Sequence, residues 1–317
     1  MRIVFWGSPE FAVPTLDGLL DSRHEVVGVV SQPVRPKGRG REVEPTPVAH
    51  RAESAGLPVL TPAKPRGEAF LGELRRLDAD VFVVAAYGEI LPVEILGMPP
   101  HGALNVHASL LPAYRGAAPV TQALLDGRTN TGITIMRMEA GLDTGPICLQ
   151  AEEPIGPDDT AGLLTGRLAE LGARLAVEAL DRLESGTLIE TPQDHAQASH
   201  AGKIDPQDAR LDWDLPSAAL ERAVRAYDPW PGAWTTWRRE RLKVFRLGIV
   251  PPPVDGSVEP GTLLEVEAES VVKTGDGAVR LVLVQPAGGR RMSGREWARG
   301  RKPRRGERLG GAGDDER

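Results

Sequence analysis

Cysteine is nearly absent: Cys148 is the sole one in 317 residues. That excludes an intrachain disulfide framework and a four-cysteine zinc site, and it fits a reducing compartment. Long apolar runs are missing too. A spanning helix needs about 20 consecutive apolar residues, and no stretch of the chain offers them. The first residues run straight into a strand-like stretch, Arg2-Ile-Val-Phe-Trp6, and then Gly7-Ser-Pro9. A signal peptide would need a longer apolar region and a cleavage site, so a cytoplasmic protein with no membrane partner is expected. Glycine is short where it would matter most for a nucleotide cofactor. Gly7-Ser-Pro-Glu-Phe11 supplies one glycine where a dinucleotide fingerprint needs three. This counts against a nicotinamide-dependent oxidoreductase.

An excess of positive charge is lacking as well, the net charge being -6. Wholesale nucleic-acid binding is therefore disfavoured, but the mean hides two basic patches. One holds Arg35, Lys37, Arg39 and Arg41; the other runs from Arg290 to Arg308. Local patches set the field that a polyanion meets. Hydrophobic residues make up 41% and charged ones 26%, an ordinary balance that excludes global disorder. The length suits two domains.

Short Val- and Ile-rich runs at 3–6, 26–30, 81–86, 103–107 and 133–138 alternate with helical patterns at 11–20, 48–55, 70–77 and 118–125. That alternation predicts an α/β domain, a Rossmann-like and mostly parallel sheet with helices on both faces. A longer amphipathic helix over 160–183, with Leu163, Leu164, Leu168, Leu171, Leu175 and Leu180 near helical spacing, is expected to close it at residue 184. Residues 185–205 lack apolar periodicity and read as a linker. Beyond them, period-two strands with turns, Gly275-Asp-Gly277 among them, predict a small β-barrel of the oligonucleotide-binding type over 206–306. The Gly- and Asp-rich tail, 307–317, is expected to be disordered.

Chemistry concentrates at Asn105-Val-His107-Ala-Ser-Leu-Leu-Pro112. Side chains two apart on a strand share a face, so Asn105 and His107 project together while Val106 faces the other layer. They close a predicted parallel strand, the edge where open α/β sheets bind ligands. A second segment, Gly141-Leu-Asp143-Thr-Gly145, sets a carboxylate between two glycines. Asp-Thr-Gly also occurs in aspartic proteases, but a single chain would need it twice and has it once. Acyl transfer to an amine needs oxyanion donors and proton exchange. An Asn amide, an imidazole and an orienting carboxylate cover both without a metal or a covalent nucleophile.

With these residues in view, the chain resembles the folate-dependent formyltransferases, and within them the methionyl-tRNA formyltransferases. The matching pieces include Gly7-Ser-Pro-Glu-Phe-Ala12, Gln32-Pro-Val-Arg-Pro-Lys-Gly-Arg-Gly40, Ala86-Tyr-Gly88, Ser109-Leu-Leu-Pro112, Arg115-Gly-Ala-Ala-Pro119 and Pro229-Trp-Pro231. The resemblance implies transfer of a formyl group from 10-formyltetrahydrofolate to the α-amine of methionine on initiator tRNA, by a monomer. The alternative is a related formyltransferase acting on a sugar amine or a purine precursor. It further implies that Asn105, His107 and Asp143 are catalytic. Ser109, Leu110, Leu111 and Pro112, with the backbone around Tyr87, Gly88, Ile90 and Leu91 and the loop at Gly141 and Leu142, would hold the small-molecule folate. Arg35, Lys37, Arg39 and Arg41 would enter the tRNA acceptor stem from a proline- and glycine-broken excursion, and the barrel would hold the tRNA from outside. Ala108, where the family usually has glycine, and His200, where it usually has tyrosine, are the departures.

Overall fold

The computed structural model describes residues 1–37, 42–251, 257–267 and 269–311. It divides into two compact units. One comprises Met1–Pro119, Asn130–Pro154 and Leu164–Gly202; the other comprises Val120–Thr129, Ile155–Leu163 and Lys203–Arg317.

The first unit grows around β1 (Arg2–Gly7), whose run of apolar residues is buried on both faces. Such a strand belongs in the middle of a covered parallel sheet. Helix α1 (Val13–Leu20) returns the chain to β2 (Glu25–Val30), parallel to β1. A separate antiparallel ribbon follows, β3 (Arg35–Lys37) with β4 (Glu42–Glu44). Thr46 then caps α2 (Pro47–Ser54) by accepting from the Ala49 N–H, and β5 (Val59–Leu60) ends that side of the sheet. Helix α3 (Glu68–Arg76) crosses to β6 (Val81–Ala85), on the other flank of β1. After the single turn α4 (Val93–Leu96) comes β7 (Ala103–His107), parallel to β6. The chain continues through β8 (Arg115–Gly116), α5 (Pro119–Leu125), β9 (Asn130–Arg137), β10 (Ile147–Pro154), α6 (Ala161–Glu184) and β11 (His200–Ala201). The sheet order is β10-β9-β7-β6-β1-β2-β5.

The sheet is mostly parallel, as the alternating pattern predicts, but β9 runs antiparallel to both of its neighbours, β7 and β10. Strand β10 is a half-exposed edge strand whose burial alternates. Trp6 anchors one layer of the core, meeting Tyr87 and Phe70 edge-on at 5.2 and 6.1 Å and Phe82 at 5.5 Å. Each such pair contributes about 0.5–1.5 kcal/mol beyond area burial. In α6, Leu164, Leu168, Leu175 and Leu180 are buried as expected, whereas Leu163 is exposed. Alanines 169, 173, 176 and 179 fill the buried face instead, which lets the helix lie close to the sheet. Gly172 makes the closest approach: a Cβ there would sit 2.7 Å from Val106 Cγ1. Val106 thus faces the helix layer.

Residues 185–202 do not form a free linker. Strand β11 pairs parallel with β8, and the Ser199 and Ala201 carbonyls accept from the Arg115 and Ala117 N–H groups. The stretch is attached through backbone and polar groups, which is why it shows no apolar period. His200 is exposed there, so an imidazole in place of a larger ring displaces no packing.

In the second unit, α7 (Ser217–Ala226) precedes β12 (Trp234–Trp237) and the long β13 (Glu240–Val250). Then come β14 (Leu263–Glu265), β15 (Val271–Lys273), β16 (Ala278–Pro286), β17 (Met292–Ser293) and α8 (Gly294–Arg301). The antiparallel path is β12-β13-β16-β15-β14, with β17 on β16. It curls around Trp297, fully buried and edge-on to Trp237 at 5.2 Å. Part of the stretch read as a disordered tail is structural. The Glu307 carbonyl accepts from Leu263 N–H, Leu309 N–H donates to Gly261 and Gly310 N–H donates to Thr236. Residues 307–310 thereby bridge β14 and β12, and Leu309 is buried. One leucine and a set of backbone bonds suffice where composition offers no hydrophobic period. Residues 312–317 lie outside the described residues. So do Arg39 and Arg41, while Arg35 opens β3 and Lys37 ends it.

Candidate active site

Asn105 and His107 stand at the C-terminal end of β7. His107 is buried and Asn105 half-buried. The His107 Nε2 lies 2.9 Å from the carbonyl oxygen of Tyr114. A carbonyl can only accept, so Nε2 carries the hydrogen and Nδ1 is left for exchange. That Nδ1 is 3.7 Å from Asp143 Oδ2. The Asn105 carboxamide makes no hydrogen bond to any described residue, which leaves its N–H donors for a ligand.

Asp143 reaches this place by an indirect route. Strand β9 ends at Arg137, which pairs with Leu104, three residues before His107 and hence roughly 10 Å down the strand. The loop 138–146 climbs back along the sheet. Gly145 closes the base of the loop against its beginning: a Cβ would come 2.0 Å from the Arg137 carbonyl oxygen. Asp143 itself adopts φ +52°, and its Oδ2 accepts from the Gly116 N–H at 2.8 Å. Ala86 (φ +47°) and Tyr114 (φ +60°) are left-handed as well. Non-glycine residues held there cluster at functional sites, at about 1–3 kcal/mol each.

The loop after His107 is fixed from within. Ser109 is fully buried, and its hydroxyl donates to the Ala113 carbonyl at 2.6 Å. Thr134 on β9 donates to the Ser109 carbonyl at 2.7 Å and accepts from Leu111 N–H at 3.1 Å. Gln150 on β10 donates to the Leu111 carbonyl and to Thr134 Oγ1. Leu111 is buried; Leu110 and Pro112 are half-buried. Ala108 is not left-handed among the described residues, so its methyl carries no backbone strain.

The other expected folate contacts divide by exposure. Tyr87 and Leu91 point into the core, leaving only their backbone to a ligand. Burial, then the nearby Glu89 charge, pushes the Tyr87 hydroxyl up to about 12. Ile90 is 79% exposed and Leu142 57% exposed, large apolar side chains standing in water. Gly88 has φ +90°, and Gly141 is exposed. Among the described residues no group of three or more His, Cys, Asp or Glu could hold a metal ion. No described helix is long and apolar enough to cross a membrane. Thr134 and Gln150, with Ser199, whose hydroxyl accepts from Tyr114 N–H, and Gln193, whose amide donates to the Asp143 carbonyl, hold these loops and were missed by sequence reasoning. Gln150 alone left a signal, the period-two alternation of β10.

A formyl transferase family model matches residues 1–180, and a formyl transferase C-terminal domain model matches residues 203–302. A methionyl-tRNA formyltransferase of Roseiflexus castenholzii is 48% identical over 312 residues, 98% of this chain and 99% of the relative. The chain belongs to the methionyl-tRNA formyltransferase family. Another member, from Thermus thermophilus, is 48% identical over 98% of this chain and 99% of its own. Among solved structures, the N-formyltransferase of Helicobacter canadensis, in complex with folinic acid and dTDP-3-aminofucose, is similar with TM-score 0.67. The match covers 89% of this chain and 98% of that one at 20% identity, a likeness of fold.

Proposed function

We propose that the chain transfers the formyl group of 10-formyltetrahydrofolate to the α-amine of methionine carried on initiator tRNA, in the cytoplasm. Family membership supports the reaction. The observation that carries the site assignment is the convergence of His107 Nδ1 and Asp143 at 3.7 Å, next to an Asn105 carboxamide without a partner among the described residues.

The residues fit a folate donor: Ile90 and Leu142 leave apolar surface for a flat ring system, and the Gly88–Leu91 backbone would bond its polar edge, the Tyr87 carbonyl being engaged by the Ser8 hydroxyl. When bound, the donor supplies the formyl carbon. Asn105 donates to the formyl oxygen, most strongly once that oxygen becomes an oxyanion. His107 moves protons at Nδ1, its Nε2–H being held by Tyr114. The amine nitrogen bonds to the formyl carbon, the bond from that carbon to folate N10 breaks, and the proton lost by the amine is returned to N10. Asp143 orients the imidazole and balances its charge when both nitrogens are protonated. Residues 206–306 and the cations Arg35, Lys37, Arg39 and Arg41 supply affinity for tRNA.

The test is an acceptor panel: labelled 10-formyltetrahydrofolate offered with charged initiator tRNA, uncharged tRNA and nucleotide-linked amino sugars. Label should reach the charged tRNA alone. Faster transfer to an amino sugar would replace the proposed acceptor.

A further inference from the structure

We propose that Gln193 is a positioning residue that holds Asp143 in its left-handed turn, with Arg115 fixing the direction in which its carboxamide faces. The proposal rests on the reading of Asp143 as the partner of His107.

Gln193 lies in the stretch that its sequence leaves featureless, yet its side chain is buried. Its Nε2 donates to the carbonyls of Asp143 at 2.9 Å and Gly145 at 2.7 Å. Its Oε1 accepts from Arg115 Nε at 3.1 Å and Nη2 at 2.6 Å. The orientation of the amide follows from chemistry alone: a guanidinium cannot accept and carbonyls cannot donate. Arg115 is buried and has no carboxylate partner among the described residues; its other side-chain contact is His195 Nδ1, 3.0 Å from Nη2. An uncompensated cation next to the carboxamide oxygen polarises the amide and strengthens both of its N–H bonds.

Asp143 is thus clamped twice from one place. The peptide following Arg115 holds its carboxylate through Gly116 N–H, and the Arg115 side chain, acting through Gln193, holds its backbone. A turn at φ +52° is uncommon for any residue with a side chain, though less so for aspartate, and bonds at both the carboxylate and the backbone hold it there. Released, the loop 138–146 would carry the carboxylate away from His107.

The test is Gln193→Glu in the full chain. The substitution is nearly isosteric and keeps the acceptor for Arg115. It sets an oxygen against two carbonyl oxygens where the donor was. The kcat on charged tRNA should fall about ten- to a hundredfold, well beyond any rise in the KM for the folate donor, because the missing restraint acts mainly in the transition state. The Gly116 amide should lose protection from hydrogen exchange. Gln193→Ala, which lacks both functions, should show the same fall in kcat and stands in if the glutamate variant does not fold. Asp143→Asn is measured alongside. If Asp143→Asn keeps full activity, the reading of Asp143 fails and this proposal with it. If Asp143→Asn is impaired while both Gln193 variants keep wild-type kcat, Gln193 alone is overturned. A fall in kcat no larger than the rise in donor KM would make Gln193 a general brace of the folate loop and overturn its positioning role.

Discussion

Two nitrogens of one imidazole divide the work at the residue scale. Nε2–H is bound to the Tyr114 carbonyl inside the protein, so whatever proton His107 exchanges with a ligand moves at Nδ1. Asn105 has no competing bond among the described residues. Its truncation should therefore disturb the free enzyme little and the transition state much. Asn105→Ala is expected to lower kcat by about two to three orders of magnitude while donor affinity is kept. Equilibrium binding and turnover measured on the same preparation check this, and retained turnover would remove Asn105 from the mechanism. Much of this was legible in the sequence, because period-two spacing puts Asn105 and His107 on one face wherever their strand lies. The roles of the Ser109 and Tyr87 side chains were not. A serine that bonds its own loop and a tyrosine buried against Trp6 look the same in sequence as ones that face a ligand. Cys148 is a further case: burial, outweighing the nearby Arg137 charge, pushes its thiol up to about 11, so it packs as a small apolar residue.

Among the elements, those with a strong local period could be read and those held by distant partners could not. The five strands of the alternating pattern and α6 follow from spacing alone. The direction of β9 does not, because pairing β7 antiparallel is decided by the connection rather than by the strand's own residues. Helix α8 was hidden inside a basic run, although Ser293 and Glu296 form a capping box there. The β3–β4 ribbon is the element with the clearest prediction. Its strands are short, and it stands apart from the main sheet. If Arg35, Lys37, Arg39 and Arg41 meet phosphates, removing each cation should reduce the log–log salt slope of tRNA binding by about 0.7–0.9. Replacing all four with alanine should flatten that slope and weaken tRNA use at unchanged folate affinity. A wild-type slope in the quadruple variant would make the ribbon a surface ornament.

For the whole molecule, the division of the chain sets the division of labour. Every candidate folate contact lies before Thr144, and the polar stretch to Gly202 is bonded into the first unit, so the useful cut is later than composition indicates. A chain ended after Gly202 should bind the folate donor as the full chain does. It should lose most activity on tRNA through a raised KM, since the second unit is proposed to supply affinity rather than chemistry. Equal use of tRNA by the truncated chain would contradict that division. The central claim, that the site at the end of β7 performs formyl transfer to charged tRNA, is tested most directly by single-turnover kinetics. With donor and charged initiator tRNA both saturating, His107→Ala should transfer labelled formyl about two to three orders of magnitude more slowly than the unaltered chain, with both dissociation constants unchanged. A rate within a few-fold of the unaltered chain would contradict the account.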